Sequence, residues 1–188
     1  MKDVIEKLIK ESIEVKQSLA ADASRINEVA DEIIGCYKRG GKVLVCGNGG
    51  SAADAQHFVA ELVGRFKKER QALCALALTT NTSCLTAIGN DYGFEKVFSR
   101  QVEAFGKKGD LLVGISTSGN SSNISEAMAV AREKGMKTVC FLGKGGGRLK
   151  GECDLSVVVK SDDTARIQES HITIIHVVCE LVENALAG

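Results

Sequence analysis

Two helical rows carry the residues best suited to chemistry. His57 and Glu61 lie four apart in "GGSAADAQHFVAEL", so on a helix they project about 40° apart and one turn along the same face. They can therefore meet one ligand or one metal. Gln168, Ile172 and His176 make a comparable row in "RIQESHITIIH", which puts Gln168 and His176 on one side. His171 stands roughly 140° round the helix from His176 and is expected not to share the site. A carboxylate with a histidine suits proton shuttling between adjacent carbons of a carbonyl compound: one takes the proton beside the carbonyl and the other serves the oxygen. Two imidazoles, a carboxylate and an amide also form a four-donor set for zinc or another divalent ion, which can polarise a carbonyl and stabilise an enediolate. Each row has a plainer account as well. An i,i+4 His/Glu pair also occurs on solvated helix faces, and a histidine inside "ITIIHVVCE" also fits a hydrogen-bonded core residue.

Two loops offer places for an anion. "GNGGSA" at residues 47–52 follows an apolar run and opens a helical stretch, the setting in which glycines let the backbone approach a phosphate at a helix N-terminus. Gly47, Gly49 and Ala52 satisfy G-x-G-x-x-A, but a dinucleotide fingerprint also needs an acidic residue near the end of the next strand. That run ends "ALALTTNTS" with no carboxylate, and no Walker lysine follows the glycines. The second loop, "ISTSGNSSN", gathers Ser116, Thr117, Ser118, Ser121 and Ser122 around a glycine before another helix. Hydroxyls and exposed amides there can surround one phosphate without a cation, although Ser121 or Ser122 would also serve as an ordinary N-cap. Donors of this kind suit a phosphate carried as a handle on a neutral body such as a sugar.

The elements that must position these loops can be read from apolar periodicity. Residues 1–40 repeat apolar side chains at helical spacing, with a break near Ala20 to Ser24. Short continuous apolar runs follow at 43–46, 72–78, 111–115, 138–142 and 155–159, as expected of strands buried on both faces. Helical stretches lie between them, at Ser51–Phe66, within 82–105 and at Ser121–Lys134, the last with Gly135 as C-cap. Alternation of this kind predicts a three-layer α/β/α sandwich on a five-stranded parallel sheet. One domain is expected over residues 1–188, with a helical segment at 1–40 and an α/β core at 41–188. The final stretch, "TARIQESHITIIHVVCELVENAL", is a long helix apolar nearly all round in its second half. Together with the N-terminal helices it offers more apolar surface than one sheet covers, which predicts packing between subunits.

Composition narrows the partners. Lysine plus arginine and aspartate plus glutamate number 24 each, so no net positive field invites nucleic acid or an anionic membrane. The seven cysteines form no C-x-x-C pair and read as small buried hydrophobes in a reducing compartment. Charges spread through "MKDVIEKLIKESIEVKQ" do not fit a signal peptide, and a cytoplasmic protein is expected.

Taken together, "GNGGSAADAQHFVAEL", "GNDYGFEKVFSRQVEAFGKKGD", "GISTSGNSSNI" and "ARIQESHITIIH" closely resemble the phosphoheptose isomerases of the sugar isomerase (SIS) fold family. The resemblance implies an aldose–ketose isomerase that converts sedoheptulose 7-phosphate to D-glycero-D-manno-heptose 7-phosphate, the first step toward the heptose of bacterial surface polysaccharides. It implies a homotetramer with active sites between subunits. It also implies one Zn2+ per subunit on His57, Glu61, Gln168 and His176, with Glu61 as base and His176 as acid. Substrate contacts would come from Asn48, Gly49, Gly50 and Ser51, from Glu61, Asn90 and Asp91, and from Ser116, Thr117, Ser118, Ser121 and Gln168. Arg65 resembles a residue that reaches a neighbouring subunit's site. On composition alone "GNDYG" around Asn90 and Asp91 reads as a turn. The same family includes non-enzymatic modules that bind a sugar phosphate or a replication initiator. Such a module needs the phosphate loops but not His57, Glu61 and His176 together, so the enzyme is the expectation.

Overall fold

The five apolar runs form one parallel sheet in the computed structural model, which describes residues 1–187. The strands β1 (Val43–Gly47), β2 (Ala75–Ala77), β3 (Leu111–Ser116), β4 (Lys137–Leu142) and β5 (Leu155–Val158) are ordered β2-β1-β3-β4-β5. The helices are α1 (Lys2–Ser18), α2 (Ala23–Lys38), α3 (Gly50–Val63), α4 (Thr82–Tyr92), α5 (Ser99–Phe105), α6 (Ser122–Glu133), α7 (Leu149–Glu152) and α8 (Thr164–Leu186).

Strand alternation divides the apolar side chains between two cores. Val43 and Val45 of β1 point toward Ile33 of α2, Phe58 of α3 and Ile174 of α8. Leu44 and Cys46 point the other way, toward Val102 of α5 and Ile124 and Met128 of α6. The result is the expected three-layer sandwich. β1 leads to β2 on one side of itself, whereas β3 leads to β4 on the other. Between the C-terminal ends of β1 and β3 the winding reverses, and in open α/β sheets that is where a ligand crevice opens.

Several expectations change in detail. The second strand, expected over 72–78, shortens to Ala75–Ala77 because Leu73 N donates instead to Leu62 O at the end of α3. The stretch within 82–105 splits into α4 and α5 at Gly93, whose φ of 89° no helix continues through. Asn90 and Asp91 accordingly lie in the last turn of α4 rather than in a free turn. Among the cysteines, Cys36, Cys46, Cys140 and Cys179 are buried as expected, but Cys74 is exposed at the approach to the edge strand β2, and Cys84 and Cys153 are half-buried. No residue of α1 is buried, and Val4, Ile5, Leu8, Ile9 and Ile13 are all exposed. Among the described residues no helix is long and apolar enough to cross a membrane.

His171 behaves as a core residue. It is fully buried, with Nε2 3.0 Å from Leu142 O. A carbonyl only accepts, so Nε2 carries the proton and Nδ1, which has no partner, is bare. Burial pushes its pKa down from 6.5 to about 4, against the Leu142 hydrogen bond. The unfolded chain therefore takes up a proton before the folded one does, and stability is full above pH 6.5 and is lost as pH falls toward 4. Between pH 7.5 and 4.5 wild-type protein should lose about 2–3 kcal/mol more than the His171→Gln variant, read from urea midpoints at the two pH values.

Candidate functional site

Both glycine- and serine-rich loops stand at the crevice between β1 and β3. In the first, Gly47 leaves no room for a side chain, since a Cβ there would lie 2.4 Å from Ser51 O. Gly49 has φ 54° and ψ −122°, a backbone that L side chains avoid. Asn48 is tied across the crevice to Asn123 of α6: each Nδ2 donates to the other's Oδ1 at 2.9 Å. Ser51 is buried in the first turn of α3. Gly50 lies beneath Gln168 of α8, whose Nε2 would be 2.5 Å from a Cβ at that position.

The second loop is a knot of hydroxyls. Ser116 Oγ accepts from Gly119 N at 3.1 Å and lies 2.9 Å from Ser121 Oγ and 3.4 Å from Ser118 Oγ. Ser121 occupies the N-cap position of α6 but makes no capping bond with its side chain. Its hydroxyl faces Ser116 instead, so Ser121 is the N-cap by position, as expected, but not by a side-chain bond. Asn120 clamps the loop from outside, donating to Ser118 O at 3.0 Å and accepting from Arg148 N at 3.1 Å. Thr117 is half-buried between Ser116 and Ser118. Hydroxyls and amides gathered at a helix N-terminus form a setting for a phosphate.

The two helical rows meet. His57 Nε2 is 3.0 Å from Glu61 Oε1, and His176 Nε2 is 3.2 Å from His57 Nε2. One donor atom from each of the three lies within 4.8 Å of the others. Two donors bound at about 2.0–2.1 Å to one tetrahedral ion stand roughly 3.3 Å apart, so these separations fit a shared divalent cation, and imidazole with carboxylate is a donor set that zinc accepts. The Phe66 ring stacks on His176 with centroids 5.6 Å apart, and Lys67 Nζ lies 5.2 Å from the Phe66 centroid. An open groove of about 680 Å³ between α3 and β2 exposes His57 and Glu61 beside Val59, Val63 and Leu76.

Other expected residues stand apart from this cluster. Asn90 Nδ2 donates to Asp91 Oδ1 at 2.8 Å, and both side chains are exposed. Arg65 is exposed and reaches only Glu69, at 3.9 Å. Asn120, Asn123 and Phe66 escaped sequence reasoning. So did Asp54, one turn before His57: its Oδ2 is buried without a partner, and burial raises its carboxyl to about 6, with His57 opposing. Only its i,i+3 spacing to His57 hinted at it.

Comparison with known proteins agrees with this geometry. The SIS domain profile matches residues 9–143. The chain is 54% identical to a phosphoheptose isomerase of Clostridium acetobutylicum, covering all of this chain and 97% of that one. It is 58% identical to a phosphoheptose isomerase of Citrifermentans bemidjiense, covering 95% and 93%. The structure of phosphoheptose isomerase GmhA from Neisseria gonorrhoeae superposes with a TM-score of 0.93 at 45% identity, covering 97% and 98% of the two chains. With its fold, its hydroxyl loop and this degree of identity, the chain belongs to the SIS-domain family, among the phosphoheptose isomerases, and is an aldose–ketose isomerase of sugar phosphates.

Proposed function

We propose that the substrate is sedoheptulose 7-phosphate and the product D-glycero-D-manno-heptose 7-phosphate, formed through an enediol(ate) and destined for bacterial surface polysaccharide. The observation that carries this reading is the clustering of His57, Glu61 and His176, about two turns along α3 from the glycine loop. His57 follows Gly50 by seven residues, about 10 Å along α3. An open-chain sugar with phosphate on its last carbon presents its reacting carbons at the far end from that phosphate. Ser116, Thr117, Ser118 and Ser121 hold the phosphate, with Asn48, Gly49, Gly50 and Ser51 along the chain.

Glu61 takes the proton from C1 of the ketose, and the electron pair of that C–H bond becomes the C1–C2 double bond of the enediol. His176 supplies a proton to O2 and takes back the proton on O1 as the aldehyde forms. Glu61 returns its proton to C2, so the product is an isomer with no net gain or loss of atoms. Zn2+ held by His57, Glu61, Gln168 and His176, one per subunit, would supply Lewis acidity toward the carbonyl. Coordination weakens a carboxylate as a base, so Glu61 must hold the ion loosely.

The chain is read as one SIS domain, with 1–40 as a helical segment and 41–188 as the α/β core, acting in the cytoplasm as a homotetramer. The exposed apolar stripe of α1 and the open groove beside Glu61 support an assembly in which neighbours complete the site, with Asn90, Asp91 and Arg65 contributing at its edge.

The test is incubation of metal-analysed protein with sedoheptulose 7-phosphate in deuterated water, followed by NMR. The expected result is the aldose heptose phosphate carrying deuterium at C2. Absence of conversion by protein that binds the sugar phosphate would reject this substrate, and product without deuterium would reject a solvent-exchanging base.

A further inference from the structure

An ion pair is buried beneath the reactive cluster. The side chains of Arg70 and Glu183 are 3% and 2% exposed, with Arg70 Nε 3.3 Å from Glu183 Oε1. Glu183 Oε1 accepts from Phe66 N at 2.9 Å, and its Oε2 accepts from Lys67 N at 2.7 Å and Lys68 N at 2.8 Å. Burial opposes its ionisation, but these three amides and the guanidinium prevail and hold its carboxyl below the usual range. Arg70 Nη2 donates to Glu61 O at 2.7 Å and Nη1 to Leu62 O and Gln71 O, each at 2.9 Å, while Nε meets Glu183 as a charge contact without a hydrogen bond.

The pair thus grips both halves of the cluster. On one side it holds the last turn of α3, which carries Glu61. On the other it fixes the three residues after Arg65, of which Phe66 lies against the His176 ring. Glu183 follows His176 by seven residues on α8, within about 20° of the same helix face, so the gripped segment runs along the face that presents His176. A helix end alone needs no buried charge for its capping. Burying an ion pair stabilises a fold no better than packed apolar side chains do, whereas its fixed hydrogen bonds orient what they hold.

We infer that Arg70 and Glu183 are positioning residues for the isomerisation, acting through residues 64–70 to seat Phe66 on His176 and to hold Glu61 in register with it. The inference rests on the reading of Glu61 and His176 as the reacting groups. Its test uses Glu183→Gln, which keeps the shape and loses the charge, and Phe66→Leu, which leaves the ion pair intact. Each is measured for kcat, for KM, for melting temperature, and for the ring-current shift that Phe66 imposes on the His176 ring protons in the NMR spectrum.

For both variants kcat should fall about 10²-fold, the scale of a misplacement near 1 Å. KM should stay within about twofold because the hydroxyl loop that holds the phosphate lies between β3 and α6. The His176 resonance should move in Glu183→Gln although residue 66 is still phenylalanine. Lower melting temperatures with wild-type kcat and an unmoved His176 resonance would overturn the inference and leave the pair a structural brace. If wild-type protein isomerised no heptose phosphate, the proposed function would fail on that result alone. The His176 shift in Glu183→Gln would then still decide the positioning.

Discussion

Glu61→Gln should lower turnover about 10³-fold, within the 10²–10⁴ range that a positioned acid or base contributes, while melting at close to the wild-type temperature. The amide matches the carboxylate in shape, so the contact with His57 Nε2, 3.0 Å in the wild type, keeps a partner of the same size. The backbone carbonyls of Glu61 and Leu62 tie this turn of α3 to Arg70, and the substitution leaves them untouched. What disappears is the capacity to take a proton from carbon. Deuterium exchange into product should vanish together with turnover, and the metal content of the variant separates two causes. A variant that retains its metal and is inactive has lost a base. One that loses the metal, and recovers when it is resupplied, has lost a ligand. Wild-type turnover by Glu61→Gln would show that another group takes the proton.

The two rows were legible separately, because i,i+4 spacing puts each on one helix face whatever the rest of the chain does. Their union was not. His57 and His176 are 119 residues apart in the chain and meet at 3.2 Å only because α3 and α8 share one face of the sheet. The strands β1, β3 and β4 were readable as unbroken apolar runs since both their faces are covered. The edge strand β2 is shorter than its apolar run because Leu73 N bonds to the end of α3 instead.

Glu183 shows what local pattern hides. In "CELVENAL" it reads as the polar face of a helix. Its burial is possible only because three amides from residues 66–68 arrive from a part of the chain more than a hundred residues away. Asn123 is similar: its partner Asn48 lies 75 residues away. The hydroxyl loop was easier, since serine and threonine crowded before a helix already suggest an anion site. Sequence could not tell whether Ser121 caps the helix or faces inward, as that depends on where Ser116 sits.

Nor did sequence reveal what holds the hydroxyl loop in place, and the answer makes Gly119→Ala the second large effect. Gly119 has φ 66°, and a Cβ there would lie 2.1 Å from Gly146 O. Its own carbonyl accepts from Leu149 N at 3.0 Å, so the turn rests directly on the backbone that leads into α7. No side chain can rotate away to relieve such a contact, and one of the two backbones must move. The strained φ and the overpacking together should cost about 2–4 kcal/mol of stability. The displaced turn carries Ser116, Ser118 and Asn120, so KM for the sugar phosphate and the inhibition constant of inorganic phosphate should both rise at least about tenfold. Turnover at saturation should change less, because Glu61 and His176 sit on α3 and α8. Gly145→Ala is the control: φ there is 76°, but nothing lies within 4 Å of a Cβ. It should carry the backbone strain alone and keep the wild-type KM. If Gly119→Ala bound both ligands as wild type does, the phosphate would have to be held elsewhere than in this loop.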